Sequence, residues 1–209
     1  DGHSYIASKI YNKDPDKLTA IERRTGKNVN FGFIFGAAEQ KIDDTAGIPG
    51  LMSEVVRMFP SAHEFMRETK KMVRKDGYVF TPFGYKLQLP YAYGKPKEHA
   101  GVNYIVQGCE GDIVKNAMIM VSDYLKSDCI FKHCKIKPEE AYLTLQVHDE
   151  LVFDFPQEKF EGQHIPALRQ IVSLMEQAGE DIDMITPVDV EVTHTNWAET
   201  KSVSRNSIF

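Results

Sequence analysis

Residues 143–155 read LTLQVHDELVFDF. Leu143, Leu145 and Val147 fall on every second position, and so do Leu151, Phe153 and Phe155. That alternation is the period of a strand with one buried face, so the two runs predict a hairpin. The tip between them holds His148, Asp149 and Glu150, three ionisable residues in a row. Why a hairpin that builds a core places two adjacent acids and a histidine at its tip is the question the rest of the chain has to answer.

Working outward, PVDVEVTH (187–194) alternates Val188, Val190 and Val192 with polar residues, which predicts one more half-buried strand. A helix is expected from about Glu158 to Ala178. From about Glu98 to Leu125, Val102, Ile105, Val106, Cys109, Ile113, Ala117, Met120, Val121 and Tyr124 step by three and four, giving a long helix. GYVFTPFGYKLQLP (77–90) reads as two short strands around a Pro-Phe-Gly turn. Upstream, a short helix over residues 3–11 is stopped by NKDPDK. TAIE (19–22) has capping-box spacing and opens a helix to about Gly36, and DDTAGIPG (43–50) reads as a loop before a short helix at 51–58. SAHE (61–64) reads as a second capping box, starting a basic helix that ends near Gly77. The expected class is α+β in two subdomains: residues 1–77, mostly helical, and residues 78–209, a small antiparallel sheet with helices on one face.

The chain has 209 residues, 42% apolar and 26% charged, enough for a substantial core. No apolar run approaches the 18 or so residues of a membrane-spanning helix. The start, DGHSYIASKIYNKDPDK, is polar, carries no signal-peptide core and lacks an initiator Met, so a fragment of a longer chain is expected. Three cysteines make no disulfide framework, which fits a reducing, cytoplasmic compartment. Cys129, His133 and Cys134 lack the spacing and the fourth ligand of a zinc site and read as loop residues. The net charge of -5 hides a division: residues 57–97 hold nine Lys or Arg against three acids, whereas residues 110–209 hold nine against eighteen. That suits a protein gripping a polyanion with one part and cations with another, and equally two solvated charged faces.

RRTGKNVNFGFIFG (23–36) is odd for a helix, because Gly26, Gly32 and Gly36 each cost about 1 kcal/mol relative to Ala. Close approach of a ligand or of another backbone would explain them. At 100° per residue Arg23, Lys27 and Phe31 share one stripe, with Phe35 at its margin. Two cations followed by a ring suit a triphosphate followed by a nucleoside. From spacing alone, an amphipathic helix with a wet basic end and an aromatic core end is the better description.

The combination is more specific. RRTGKNVNFGFIFG resembles motif B, the nucleotide-binding fingers helix of family A DNA polymerases, and LQVHDELVF resembles their palm motif C. Between them, FGY after GYVFTP is similar to the family's Gly-Tyr-Val…Phe-Gly-Arg hairpin, and NYIVQG to its Asn-x-x-x-Gln-Gly helix. VEVTHTNWAE is similar to its last strand and Trp. The motifs stand in family order over nearly the whole chain, and His99, where Arg is usual four residues before Asn103, leans toward the phage branch.

The resemblance implies a right-hand palm with helical fingers, divided near residue 77. It also implies attack of a primer 3′-hydroxyl on the α-phosphate of a dNTP, with two Mg²⁺ ions assisting. His3, Arg23 and Lys27 would contact the dNTP phosphates, and Phe31 would pack on its sugar and base. Phe35, where Tyr is usual, would stack near the templating base without a hydroxyl. Asn103, Gln107 and His99 would line the primer-template minor groove. Asp149 and Glu150 would ligate metal, with His148 near the primer end. Arg67, Lys70, Lys71, Arg74 and Lys75 would either hold template phosphates or form a solvated face. The family's other metal-bearing Asp, in Asp-Tyr-Ser-x-Ile-Glu, has no counterpart here, and Asp1 is no substitute because the Gly-His-Ser after it matches a stretch downstream of that motif. This chain is therefore expected to be inactive alone, without an upstream segment and its thumb. Rival readings are a binding-only half of a split polymerase, a metal-dependent hydrolase built on His148, Asp149 and Glu150, and a non-catalytic interaction module.

Overall fold

The computed structural model describes residues 2–209, and the side chains of all these except Phe131, His133, Cys134 and residues 157–164. Cys129 is exposed, but His133 and Cys134 lie outside the described side chains, and with them the grouping of these three residues. The chain packs as two compact units, Asp1–Gly108 and Cys109–Phe209. This packing division falls inside a helix and is a different one from the functional division expected near residue 77.

The first unit holds α1 (Gly2–Tyr11), α2 (Ala20–Ile34), α3 (Glu39–Ala46), α4 (Leu51–Met58), α5 (Pro60–Asp76) and two hairpins. These are β1 (Tyr78–Phe80) with β2 (Lys86–Gln88), and β3 (Tyr91–Ala92) with β4 (Lys95–Pro96). A 3-10 turn, Glu98–Ala100, leads into α6 (Gly101–Lys126). Ile6, Val29, Phe33, Ile42, Leu51, Val55, Met66 and Val102 form its main core, and Val73, Val79 and Leu89 a smaller one. The second unit adds α7 (Asp128–Cys134), the hairpin β5 (Tyr142–Val147) and β6 (Glu150–Asp154), and α8 (Gln157–Gln177). It closes with β7 (Val190–Val192) paired to β8 (Lys201–Val203), then α9 (Arg205–Ile208). Its core joins Val121, Tyr124 and Leu125 to Ile130, Ile136, Ala167 and Ile171, with Leu143, Phe153 and Phe155 packed against it. The α+β expectation holds.

The Thr19 capping box forms as read: the Thr19 hydroxyl accepts from the Glu22 N–H at 3.2 Å, and the Thr19 N–H donates to Glu22 Oε2 at 2.8 Å. Lys13 Nζ donates to Glu22 Oε1 at 2.5 Å, and with the Thr19 bonds it holds the Glu22 carboxyl down to about 2, below the ordinary 4.5. A carboxyl depressed on folding stabilises the helix start above about pH 4.5 and loses that effect as pH falls through about 2. A far-UV CD titration should show a helical component lost over that window, and Glu22→Gln, which cannot titrate, should lack it.

Several expectations are corrected. The second capping box does not form: Pro60 takes the first helical position of α5, with Phe59 as its cap, which leaves Ser61 inside the helix. The loop read at 43–50 begins inside α3, whose single buried apolar residue, Ile42, gives too little periodicity to be seen. Asp43 still does loop work, because its carboxylate accepts from the N–H groups of Gly50 (2.7 Å) and Met52 (3.0 Å) at the start of α4. Residues 128–134, read as loop, are the short helix α7. The hairpin β3–β4 was not foreseen; Tyr93 and Gly94 at its tip take φ of 52° and 75°, which gives the primed turn that matches strand twist. Among the described residues the strands form four two-stranded ladders instead of one sheet. Within β5 the register shifts between Leu143 and Leu145, and this irregularity leaves Leu145 exposed despite its place in the alternation.

Candidate functional site

The first group of predicted residues is gathered by the packing of α1 on α2. A Cβ at Gly26 would lie 2.5 Å from the His3 carbonyl oxygen and 2.7 Å from Ala7 Cβ. Another backbone is therefore what this glycine admits. Val29 and Phe33 are buried on the same side of α2. Arg23, Lys27, Phe31 and Phe35 are all exposed, along the opposite face. Gly36, at φ 73°, is the left-handed residue just past the helix, and a Cβ there would come within 3.9 Å of the His99 carbonyl.

Along this face the rings are ordered. Phe31 and Phe35 stack with centroids 5.8 Å apart and planes 16° from parallel, and Lys27 Nζ lies 5.5 Å from the Phe31 centroid. His3 meets Phe31 edge-on at 5.2 Å. Burial, then the charges of Arg23 and Lys27, push the His3 pKa below its ordinary 6.5. Asn30 Nδ2 lies 3.2 Å from His3 Nδ1; with the amide donating to Nδ1, the proton of neutral His3 sits on Nε2. Asn30 was missed in the sequence, although it lies two turns after Arg23, on the same stripe. The face offers two cations, one neutral imidazole and a ring pair, in that order, to a ligand with an anionic head and a planar tail.

Asn103 and Gln107 lie one turn apart on α6, Asn103 half-buried and Gln107 exposed. Two glycines bring that helix close to its neighbours. A Cβ at Gly101 would lie 2.7 Å from Val73 Cγ2, and one at Gly108 would lie 2.5 Å from Leu87 Cδ1. His99 is exposed but belongs to the 3-10 turn before α6, so it does not continue the helical face of Asn103 and Gln107. On α5 three of the five cations are answered by nearby acids: Arg67 by Glu64 (2.6 Å), Lys71 by Glu68 (2.8 Å), and Arg74 by both oxygens of Glu98 (2.9 and 2.8 Å). That pairing favours the solvated-face reading of this helix.

In the second unit His148, Asp149 and Glu150 are exposed where β5 turns into β6, with Val147 paired to Glu150. His148 takes φ 53°, a left-handed backbone that side chains other than Asn, Asp and His tolerate poorly, and the Gln146 amide donates to its carbonyl. The carboxylate oxygens of Asp149 and Glu150 suit a hard cation, which takes one or two protein carboxylates and completes its shell with water and phosphate. Among the described residues no three His, Cys, Asp or Glu converge as metal ligands.

The profile described as DNA polymerase family A matches residues 1–199, so the chain belongs to DNA polymerase family A. Among curated relatives, the DNA polymerase I of Rhizobium leguminosarum is 29% identical over 95% of this chain and 20% of its own length. The thermostable DNA polymerase I of Thermus filiformis is 28% identical over 96% of this chain and 23% of its own. The chain thus spans about a fifth of the length of the relatives it matches. Among solved structures, the polymerase domain of Pol1 from M. smegmatis, in complex with DNA primer-template and dNTP, superposes with a TM-score of 0.68 at 26% identity. That match covers 85% of this chain and 31% of that one. No helix among the described residues is long and apolar enough to cross a membrane.

Proposed function

We propose that this chain holds the incoming nucleotide, and part of the metal and DNA site, of a template-directed DNA polymerase. The observation that carries the reading is the exposed face of α2, where Arg23, Lys27, Phe31 and Phe35 run in order beside His3. Arg23 and Lys27 neutralise the triphosphate, the His3 Nε2–H donates to it, Phe31 packs on the sugar and base, and Phe35 extends the ring surface toward the templating base. Asn103 and Gln107 present amides, donor and acceptor together, to minor-groove base edges, with His99 beside them. Asp149 and Glu150 hold Mg²⁺, and His148 stands near the primer end. When bound, the metal supplies Lewis-acid stabilisation of phosphoryl transfer. Residues 1–77 act as fingers and residues 78–209 as palm, in the cytoplasm of a cell or of a phage host.

Two carboxylates at one turn leave the metal shell to be completed by oxygens from another polypeptide segment, so the 209 residues by themselves should not extend a primer. A primer-extension assay with Mg²⁺ checks this. Expected is no product from the chain alone, and product once a polypeptide carrying the Asp-Tyr-Ser-x-Ile-Glu motif is added. Robust synthesis by the isolated chain would refute it. If the mixture stays silent while dTTP and DNA still bind, the binding-only half of a split polymerase is the correct reading.

His3 gives a second check. A triphosphate offsets the Arg23 and Lys27 charges that help depress the imidazole, so its pKa rises and binding takes up a proton. Titration calorimetry with dTTP near pH 6, in two buffers of different ionisation enthalpy, should report more proton uptake by the parent than by His3→Gln, the difference isolating the imidazole from the titrating phosphate. Equal uptake by the variant removes His3 from the site.

A further inference from the structure

We propose that the outer face of the hairpins β1–β2 and β3–β4 is a stacking track for a single strand of DNA. Pairing Tyr78 with Gln88, Val79 with Leu87 and Phe80 with Lys86 sorts the first hairpin into two faces. Val79 is fully buried and Leu87 packs beside it against Val73 and Leu89, so the inner face is filled. Tyr78, Phe80, Lys86 and Gln88 share the other face. There Tyr78 and Phe80 meet edge-on at 5.4 Å, and Lys86 Nζ lies 3.8 Å over the Tyr78 ring. Tyr91 carries the surface onto the second hairpin: its hydroxyl and the Gln88 amide both flank Gly77. Tyr93 at the tip is fully exposed, and Phe80, Tyr85 and Tyr91 are 48%, 62% and 57% exposed.

Scattered exposed rings are ordinary on a protein surface; four within fourteen residues, Phe80 to Tyr93 on two small hairpins, are not. Their chemistry selects the occupant. Residues 77–97 contain Lys86, Lys95 and Lys97 and no Asp or Glu, and Glu98, the next acid, is engaged by both guanidinium nitrogens of Arg74. Rings that offer π-faces, interleaved with cations alone, match a polyanion whose own flat faces are uncovered: unpaired bases on a phosphate backbone. A duplex hides those faces. An apolar protein partner would use the rings and leave three lysines unanswered. The choice of DNA over RNA rests on the proposed function; the stacking surface does not.

The test is fluorescence anisotropy of the 209-residue chain with a labelled oligo-dT of about 15 nucleotides, and with a duplex of equal length. The single strand should bind more tightly. Tyr93→Asn, which keeps a residue tolerant of the left-handed turn, and Phe80→Ala should each weaken oligo-dT binding about tenfold, while Tyr93→Phe retains it. Lys86→Gln with Lys95→Gln should flatten the dependence of log affinity on log salt by about 1.4, at about 0.7 per phosphate contact. Tyr93→Asn and Phe80→Ala both binding oligo-dT within twofold of the parent overturns the proposal. dTTP binding, measured on the same preparations, separates the two readings. Its absence from the parent chain sinks the nucleotide site on α2 and leaves the track standing, whereas its presence with unaltered oligo-dT binding does the reverse.

Discussion

Gly26→Ala is expected to destabilise the first unit by about 3 kcal/mol, a large share of what holds a domain of this size together. The added Cβ would meet the His3 carbonyl at 2.5 Å, Ala7 Cβ at 2.7 Å and the Ala7 nitrogen at 2.9 Å. Two of these three atoms belong to backbone, so no rotamer change relieves the contact, and α1 has to move away from α2. The better helix propensity of Ala recovers only about 1 kcal/mol. Because α1 carries His3, the move also takes the imidazole from beside Phe31. Gly32→Ala is the comparison: its Cβ would stand 3.4 Å from Ile42 Cγ1, a side-chain atom able to give way, and its change should stay within about 1 kcal/mol. Urea unfolding followed by CD checks both variants, and an unchanged midpoint for Gly26→Ala would show that the two helices do not pack through this residue.

Removing both cations from the stripe should have the largest effect on ligand binding. Each charge-assisted contact to phosphate contributes about 1.5–3 kcal/mol, so Arg23→Ala with Lys27→Ala should weaken dTTP binding by at least about 100-fold. Both side chains are exposed, so the variant should keep the fold and thermal midpoint of the parent. Thymidine, which has the ring and no phosphate, should bind the variant and the parent alike. A loss of dTTP affinity below tenfold, measured by calorimetry, would place the triphosphate elsewhere.

What could be read from the sequence was what is settled locally. The Thr19 capping box needs only four residues and formed as expected, and the long run of apolar steps became α6. Readings failed where a neighbour decides. SAHE has the letters of a cap, yet Pro60 just before it starts the helix two residues early. Leu145 has the right parity for burial, and the register shift beside it removes it from the core. The cost of Gly26 was visible in the chain, but Ala7, nineteen positions away, is what explains it. Asn30 escaped for a related reason: its significance lies in His3, on another helix. The order Arg23, Lys27, Phe31, Phe35 was legible because all four sit on one helix and need no partner to be aligned.

That order has a consequence for orientation. The first turns of α2 carry the cations and the unsatisfied N–H groups at the positive end of the helix macrodipole, while its last turn carries stacked rings and the negative end. A ligand with charge at one end and a flat ring at the other can lie along this helix in one sense only. Reversed, its phosphates would face rings and carbonyls. Under the proposed function the helix would act as a polariser, telling head from tail before any base is compared with a template, by an asymmetry built into every α-helix.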